Sequence, residues 1–263
     1  MDAGLSPIEK RIAQKQSPLC DRVVPKGDLI LSYPSKLMSE AHADIVARPL
    51  QRAMDYLKYV TGLNPTRALR GRVTIRWIEN REVQGKSRWK SEKDTNGDFI
   101  GSWVDLSWDY MFKPCEPFRI CGHELAHPFF RISPLHQKNN DCVGNGGWLG
   151  NEGWGEGFCD FMRGPMMNCM RLPGQQGDEW WQKMIQAARN KQPGTHHNPA
   201  GQIVLKYLSS CRADRNSFSR FIHDKRLIKG FISDLFKKFA CCPLKSELTP
   251  TDEMIRKYGH SRL

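Results

Sequence analysis

No stretch of this 263-residue sequence approaches 18 consecutive apolar residues, so no membrane span is expected. The opening segment MDAGLSPIEKRIAQKQ is polar and has no apolar core, which excludes a secretory signal as written. The default expectation is a cytoplasmic protein; if its targeting segment lies outside this sequence, it is secreted. Nine cysteines are present, yet no two form a Cys-x-x-Cys pair, so a structural zinc knuckle is not indicated. The odd count leaves at least one thiol over in an oxidising compartment. In the cytosol most of the nine would be small buried hydrophobes. There is no internal repeat and no low-complexity tract. Acidic residues are the minority, 28 against 40 Lys and Arg, for a net charge of +12. The simplest reading of that excess is a solvated basic surface. The alternative is an acidic partner such as nucleic acid, an anionic glycan or a membrane surface. The basic clusters at 86–93 and 225–238 are not interleaved with stacking aromatics in a recognisable nucleic-acid module.

Apolar residues make up 39% and charged residues 26%, the balance of a globular chain able to bury a core. Residues 1–36, rich in Pro and Lys, read as an irregular lead-in to a single domain over 37–263. Between Ser39 and Val60, Ile45, Leu50, Ala53, Met54 and Leu57 fall at helical spacing. Pro49 makes this either one kinked helix or two short ones. Arg72–Ile78 alternates polar and apolar, the pattern of a half-buried strand. Residues 79–98 read as a loop or hairpin excursion, and Phe99–Trp108 as a second strand. Helices are expected over Phe118–His127, Asn151–Met162, Glu179–Ala188 and about 198–210. A long amphipathic helix should follow, from Asn216 or Ser217 to Ala240. The sheet-bearing part thus spans about 37–130 and the helical part about 131–263, the pattern of an α+β fold.

The chemistry centres on His123-Glu124-Leu125-Ala126-His127. Histidines four apart on a helix lie one turn apart on one face, able to share one metal ion. Glu124 between them is placed to take a proton from a metal-activated water and pass it to a leaving amine. Ile120, Leu125 and Phe129 allow the helix to pack one face inward. Pro128, directly after the second histidine, should kink or end the helix there. A catalytic zinc needs a third protein ligand and an open position. The candidates lie in Trp148–Phe161, which holds Glu152 and Glu156.

His-Glu-Leu-Ala-His followed by Asn151-Glu152-Gly153, or by Glu156-Gly157-Phe158-Cys159-Asp160-Phe161, resembles the gluzincin metallopeptidases. That group includes thermolysin, the aminopeptidases with a ligand Glu in Asn-Glu-Gly, the enhancin-like peptidases and the plant basic secretory proteins. The resemblance covers about 40 residues, 120–163, and marks the class more than any one family. It implies a zincin-like α+β domain, a small twisted sheet with an active-site helix and a mostly helical C-terminal lobe. It also implies a Zn2+ cofactor and hydrolysis of peptide or protein substrates. Glu156, with 28 residues between it and His127, is favoured as third ligand; Glu152, with 24 between, is the competing register. Asp160 would orient a zinc-bound histidine by accepting its other N–H. The strand before the active-site helix, Phe99–Leu106, would be the edge that pairs with extended substrate.

Blander readings stand beside these. Glu152 and Glu156 fit a solvated helix face as well, and Trp148, Trp154, Phe158 and Phe161 fit core or pocket wall. His196, His197, Tyr258 and His260 are surface residues by default, although a Tyr or His donor to the reaction's oxyanion is chemically expected. Two other functions remain open. One is a catalytically inactive domain of this kind that binds a peptide, glycan or nucleic acid. The other is a structural metal site closed by a fourth ligand, with Cys159 the obvious candidate.

Overall fold

A computed structural model describes residues 4–14, 20–68, 71–78, 88–96, 99–107, 116–134, 151–170, 179 and 223–241. Within them lie six helices and five strands. The helices are α1 (Pro7–Gln14), α2 (Glu40–Thr61), α3 (Pro65–Ala68), α4 (Glu116–Arg131), α5 (Asn151–Met170) and α6 (Lys225–Cys241). The strands are β1 (Arg22–Lys26), β2 (Leu29–Tyr33), β3 (Val73–Ile78), β4 (Arg88–Lys93) and β5 (Phe99–Ser107). The mixture of a small sheet with helices agrees with the α+β expectation. The chain divides into two compact units. One comprises Met1–Asp55, Asn64–Pro128 and Met170–Pro173, and the other Tyr56–Leu63, Phe129–Cys169 and Gly174–Leu263.

The first unit carries the whole sheet, in the order β1-β2-β3-β5-β4. β1 and β2 form an antiparallel hairpin, β2, β3 and β5 run parallel, and β4 returns antiparallel to β5. The hairpin turns on Gly27 and Asp28. Gly27 has φ of 61°, and a Cβ there would lie 2.5 Å from Gln51 Oε1, so both backbone and space favour glycine. The amide of Gln51 then locks the turn. Its oxygen accepts from Asp28 N at 2.9 Å and its nitrogen donates to the Asp28 carboxylate at 2.8 Å. Pro25 is tolerated because β1 is an edge strand. Residues 1–36 are therefore not an irregular lead-in: they supply a helix and two sheet strands. Each strand is only five residues long, β1 contains Pro25, and β2 is buried at every position without polar–apolar alternation, which hides both from a periodicity reading.

β3 is not half-buried either. All of Val73–Trp77 is buried. Its apolar face, Val73, Ile75 and Trp77, continues into Leu29, Leu31, Val104 and Leu106, all fully buried. Its polar face is covered by α1, which packs on β3 and β5. Arg76 Nε donates to Asp105 Oδ1 at 2.8 Å and Arg76 Nη1 to the carbonyl of Ile12 at 3.2 Å, with the guanidinium 4.9 Å from the Trp103 ring centroid. Gly101 lets the helix approach: a Cβ there would sit 2.4 Å from Ile12 Cδ1. α1 itself starts on a capping box. Ser6 Oγ accepts from Glu9 N at 3.3 Å, and the Glu9 carboxylate accepts from Ser6 N at 2.8 Å, with Pro7 in the first turn.

β5 is paired on both sides, so it is not the edge strand expected of it. β4 holds that edge, and Arg11 of α1 reaches Glu92 at its bulge, 2.8 Å away. Three helices run through a proline: α2 at Pro49, α4 at Pro128 and α5 at Pro165. α2 is thus one helix. α4 continues past Pro128 to Arg131 because a proline there removes only the bond to the Glu124 carbonyl, while burial of Phe129 and Phe130 holds the last turn. In the second unit, Phe161 of α5 stacks on Phe231 of α6 at 5.6 Å, and Ile228, Ile232 and Phe236 complete the buried stripe of α6. That helix starts at Lys225, capped by Asp224, whose Oδ1 accepts from Arg226 N at 2.8 Å. The helices expected at Glu179–Ala188 and about 198–210 lie, apart from Glu179, outside the described residues. No described helix is long and apolar enough to cross a membrane.

Candidate metal centre

α4 sets the geometry of the central motif. Pro117 stands in its first turn, where a missing N–H costs nothing. Cys121, Leu125, Ala126 and Phe129 are fully buried, so one face of the helix packs inward as its apolar spacing expects. His123 and His127 follow one turn apart, ring centroids 5.2 Å from each other and planes at 75°. The Glu124 carboxylate lies 3.7 Å from His127 Nε2. His123 and Glu124 are each 8% exposed. Two imidazoles and a carboxylate are therefore gathered at one turn of helix in a largely dry setting, where charge interactions are weakly screened. Gly122 leaves room beside them: a Cβ at that position would meet the Met170 methyl at 2.8 Å. Burial first, and the Glu124 carboxylate second, push the Cys121 thiol well above its ordinary range. Cys121 therefore stays protonated and apolar in character.

The downstream candidates fall on α5. The helix expected over Asn151–Met162 extends to Met170, so Glu152, Glu156 and Asp160 stand at successive turns. The side chains of Glu152 and Glu156 lie outside the described residues. Asp160 is 1% exposed, with Oδ1 3.7 Å from Arg163 Nη1 one turn on. Its neighbour Cys159 is fully buried. His196, His197, Tyr258 and His260 lie outside the described residues.

Sequence reasoning missed the cluster that fastens α1 to the sheet. The Glu9 carboxylate accepts from Arg72 N and from Arg72 Nε, each at 2.9 Å. Burial alone would raise the Glu9 carboxyl. The hydrogen bonds from the Arg72 side chain and backbone and from the Ser6 backbone outweigh it and hold the group at about 2. The signal was present as Ser6-Pro7-Ile8-Glu9, the spacing of a capping box with proline at the first helical position.

No family model, no curated protein and no solved structure matches this chain.

Proposed function

We propose that the protein is a zinc-dependent metallopeptidase of the gluzincin kind. The observation that carries this reading is the placing of His123, His127 and Glu124 at one buried turn of α4, with the carboxylate 3.7 Å from an imidazole nitrogen. The donor set fits zinc: two imidazoles can take adjacent corners of a tetrahedron, and a carboxylate beside them need not be a ligand. His123 and His127 would hold the ion. Glu156 is the favoured third ligand and Glu152 the alternative, each a carboxylate on the helix that also carries Asp160. Zinc, when bound, supplies a Lewis acid that polarises a scissile carbonyl and acidifies water. Glu124 accepts the proton of the attacking water and delivers it to the leaving amine. Asp160 accepts a hydrogen bond from a ligand and fixes its orientation. An extended peptide would pair with β4, which among the described residues is the outermost strand on that side of the sheet.

A second ligand set is the structural one, in which Cys159, a buried residue of α5, would join His123 and His127. Thiolate is a strong zinc ligand, and a closed set containing it would be structural rather than catalytic. X-ray absorption on the purified protein separates the two, because sulfur in the shell appears at about 2.3 Å and oxygen or nitrogen at about 2.0–2.2 Å.

The test of the main reading compares wild type with Glu124→Gln. Both should hold one zinc per chain, and the variant should cleave a quenched peptide library about 100- to 10,000-fold more slowly. His123→Ala and His127→Ala should lose the metal. A wild type that takes up no zinc when supplied with it would end the proposal. Equal zinc with no cleavage by either protein would favour the binding domain.

A further inference from the structure

The first turns of α6 break the usual charge rule for helices. Lys225, Arg226 and Lys229 stand at the N-terminal end, where the helix dipole already presents positive charge, and no acidic residue lies in the first turn. All three are exposed, and among the described residues none has an ion-pair partner. The one carboxylate at this end, Asp224, is engaged as the cap of the first turn, and Asp234 lies 3.8 Å from Lys237. Two of the cations are also drawn together. Lys229 Nζ lies 4.5 Å and Lys225 Nζ 5.0 Å from the centroid of the same ring, Tyr59, which is 37% exposed. The ring attracts each ammonium, but the two repel each other and both oppose the dipole. An anion seated among the three cations relieves that repulsion.

We propose that this patch binds the phosphate backbone of a nucleic acid, without reading its bases. The patch offers charge and little else. Lysine ammoniums are point charges that suit phosphate without fixing a base edge. The one ring that could stack a base already carries two cations. Insertion into a membrane surface would need free apolar side chains, but Ile228, Phe231, Ile232 and Phe236 of α6 are buried. Within this unit Tyr59 is the only exposed large hydrophobic among the described residues. The net charge of +12 adds long-range attraction for a polyanion. The inference does not depend on the metal centre, and its test reads binding rather than hydrolysis.

The test is fluorescence anisotropy of the full chain with a labelled oligonucleotide, single-stranded and duplex, across a salt series. Lys225→Gln with Lys229→Gln should reduce the slope of log affinity against log salt by about 1.4 for the single strand and about 1.8 for the duplex. The loss of affinity between about 50 and 200 mM salt should shrink roughly tenfold. Lys229→Gln alone should give about half the change in slope, which keeps a reading if the double variant does not fold. The control pair Lys36→Gln with Arg48→Gln removes the same charge from exposed positions in the other unit and should leave the slope unchanged. Equal falls for both pairs would assign binding to net charge and overturn the patch. An unchanged slope for the patch pair would overturn it too, as would wild-type binding to phosphatidylserine vesicles with none to either oligonucleotide.

Discussion

At Arg76 a guanidinium 2% exposed meets a carboxylate, Asp105, 1% exposed. Such a pair adds little net stability when formed, but removing one partner strands the other in a dry interior. Asp105→Ala should therefore destabilise the fold by about 3–5 kcal/mol, measured by urea unfolding. Arg76→Met with Asp105→Leu should recover most of that loss, and a single-variant loss below about 1 kcal/mol would contradict the account. Glu9, a buried residue of α1, makes the complementary case. Its carboxyl is more acidic folded, about 2, than its ordinary value of 4.5. Its contribution is thus complete above about pH 4.5 and is lost as the pH falls toward 2. At neutral pH it amounts to roughly 3 kcal/mol, and Glu9→Gln should flatten the acid limb of stability against pH. A variant that keeps the wild-type acid limb would remove Glu9 as its origin. Neither pair was legible in the alternating pattern of Arg72–Ile78. That pattern marks which residues share a face and leaves open whether water or a helix covers it.

Among the elements, α1 shows how a short helix becomes part of a sheet's core. It is 8 residues long, too short to persist alone, and its capping box, Arg72 and the Arg76 contact hold it down. Its close seat requires Gly101. Gly101→Ala should cost about 1–3 kcal/mol, because the new methyl meets Ile12 Cδ1 at 2.4 Å and Ile12 is 1% exposed. Ile12→Val removes that atom, so the double variant should be more stable than the sum of the two changes, a coupling a double-mutant cycle measures. Strictly additive effects would mean that α1 does not pack there. The long helices were legible because α2 and α6 carry regular apolar spacing over many residues. The prolines misled: each removes one hydrogen bond, whereas buried neighbours on both sides supply many contacts. The edge assignment failed for a different reason. Chain order places β5 just before α4, but β4 comes earlier in sequence and returns antiparallel outside it, an ordering that alternation in a single strand does not encode.

For the molecule as a whole, the candidate site was legible at α4 and much less so beyond it. His123, Glu124 and His127 belong to one helix, so their spacing alone fixes their geometry. A third ligand must come from elsewhere in the chain, and Glu152, Glu156 and Cys159 are all compatible with sequence separation from His127. Thermodynamic linkage offers a measurement that does not depend on knowing a substrate. An ion held by His123 and His127 with a ligand from α5 binds the native chain and not the unfolded one. Free zinc at about 100 times its dissociation constant should then raise the unfolding free energy by about 2.7 kcal/mol. Glu124→Gln should keep that gain, since its proposed role is proton transfer and not metal binding. His127→Ala should abolish it, and whichever of Glu156→Gln, Glu152→Gln and Cys159→Ser abolishes it as well identifies the third ligand. A gain that survives His127→Ala would place the metal at some other site, because two imidazoles one turn apart cannot share an ion once one of them is gone.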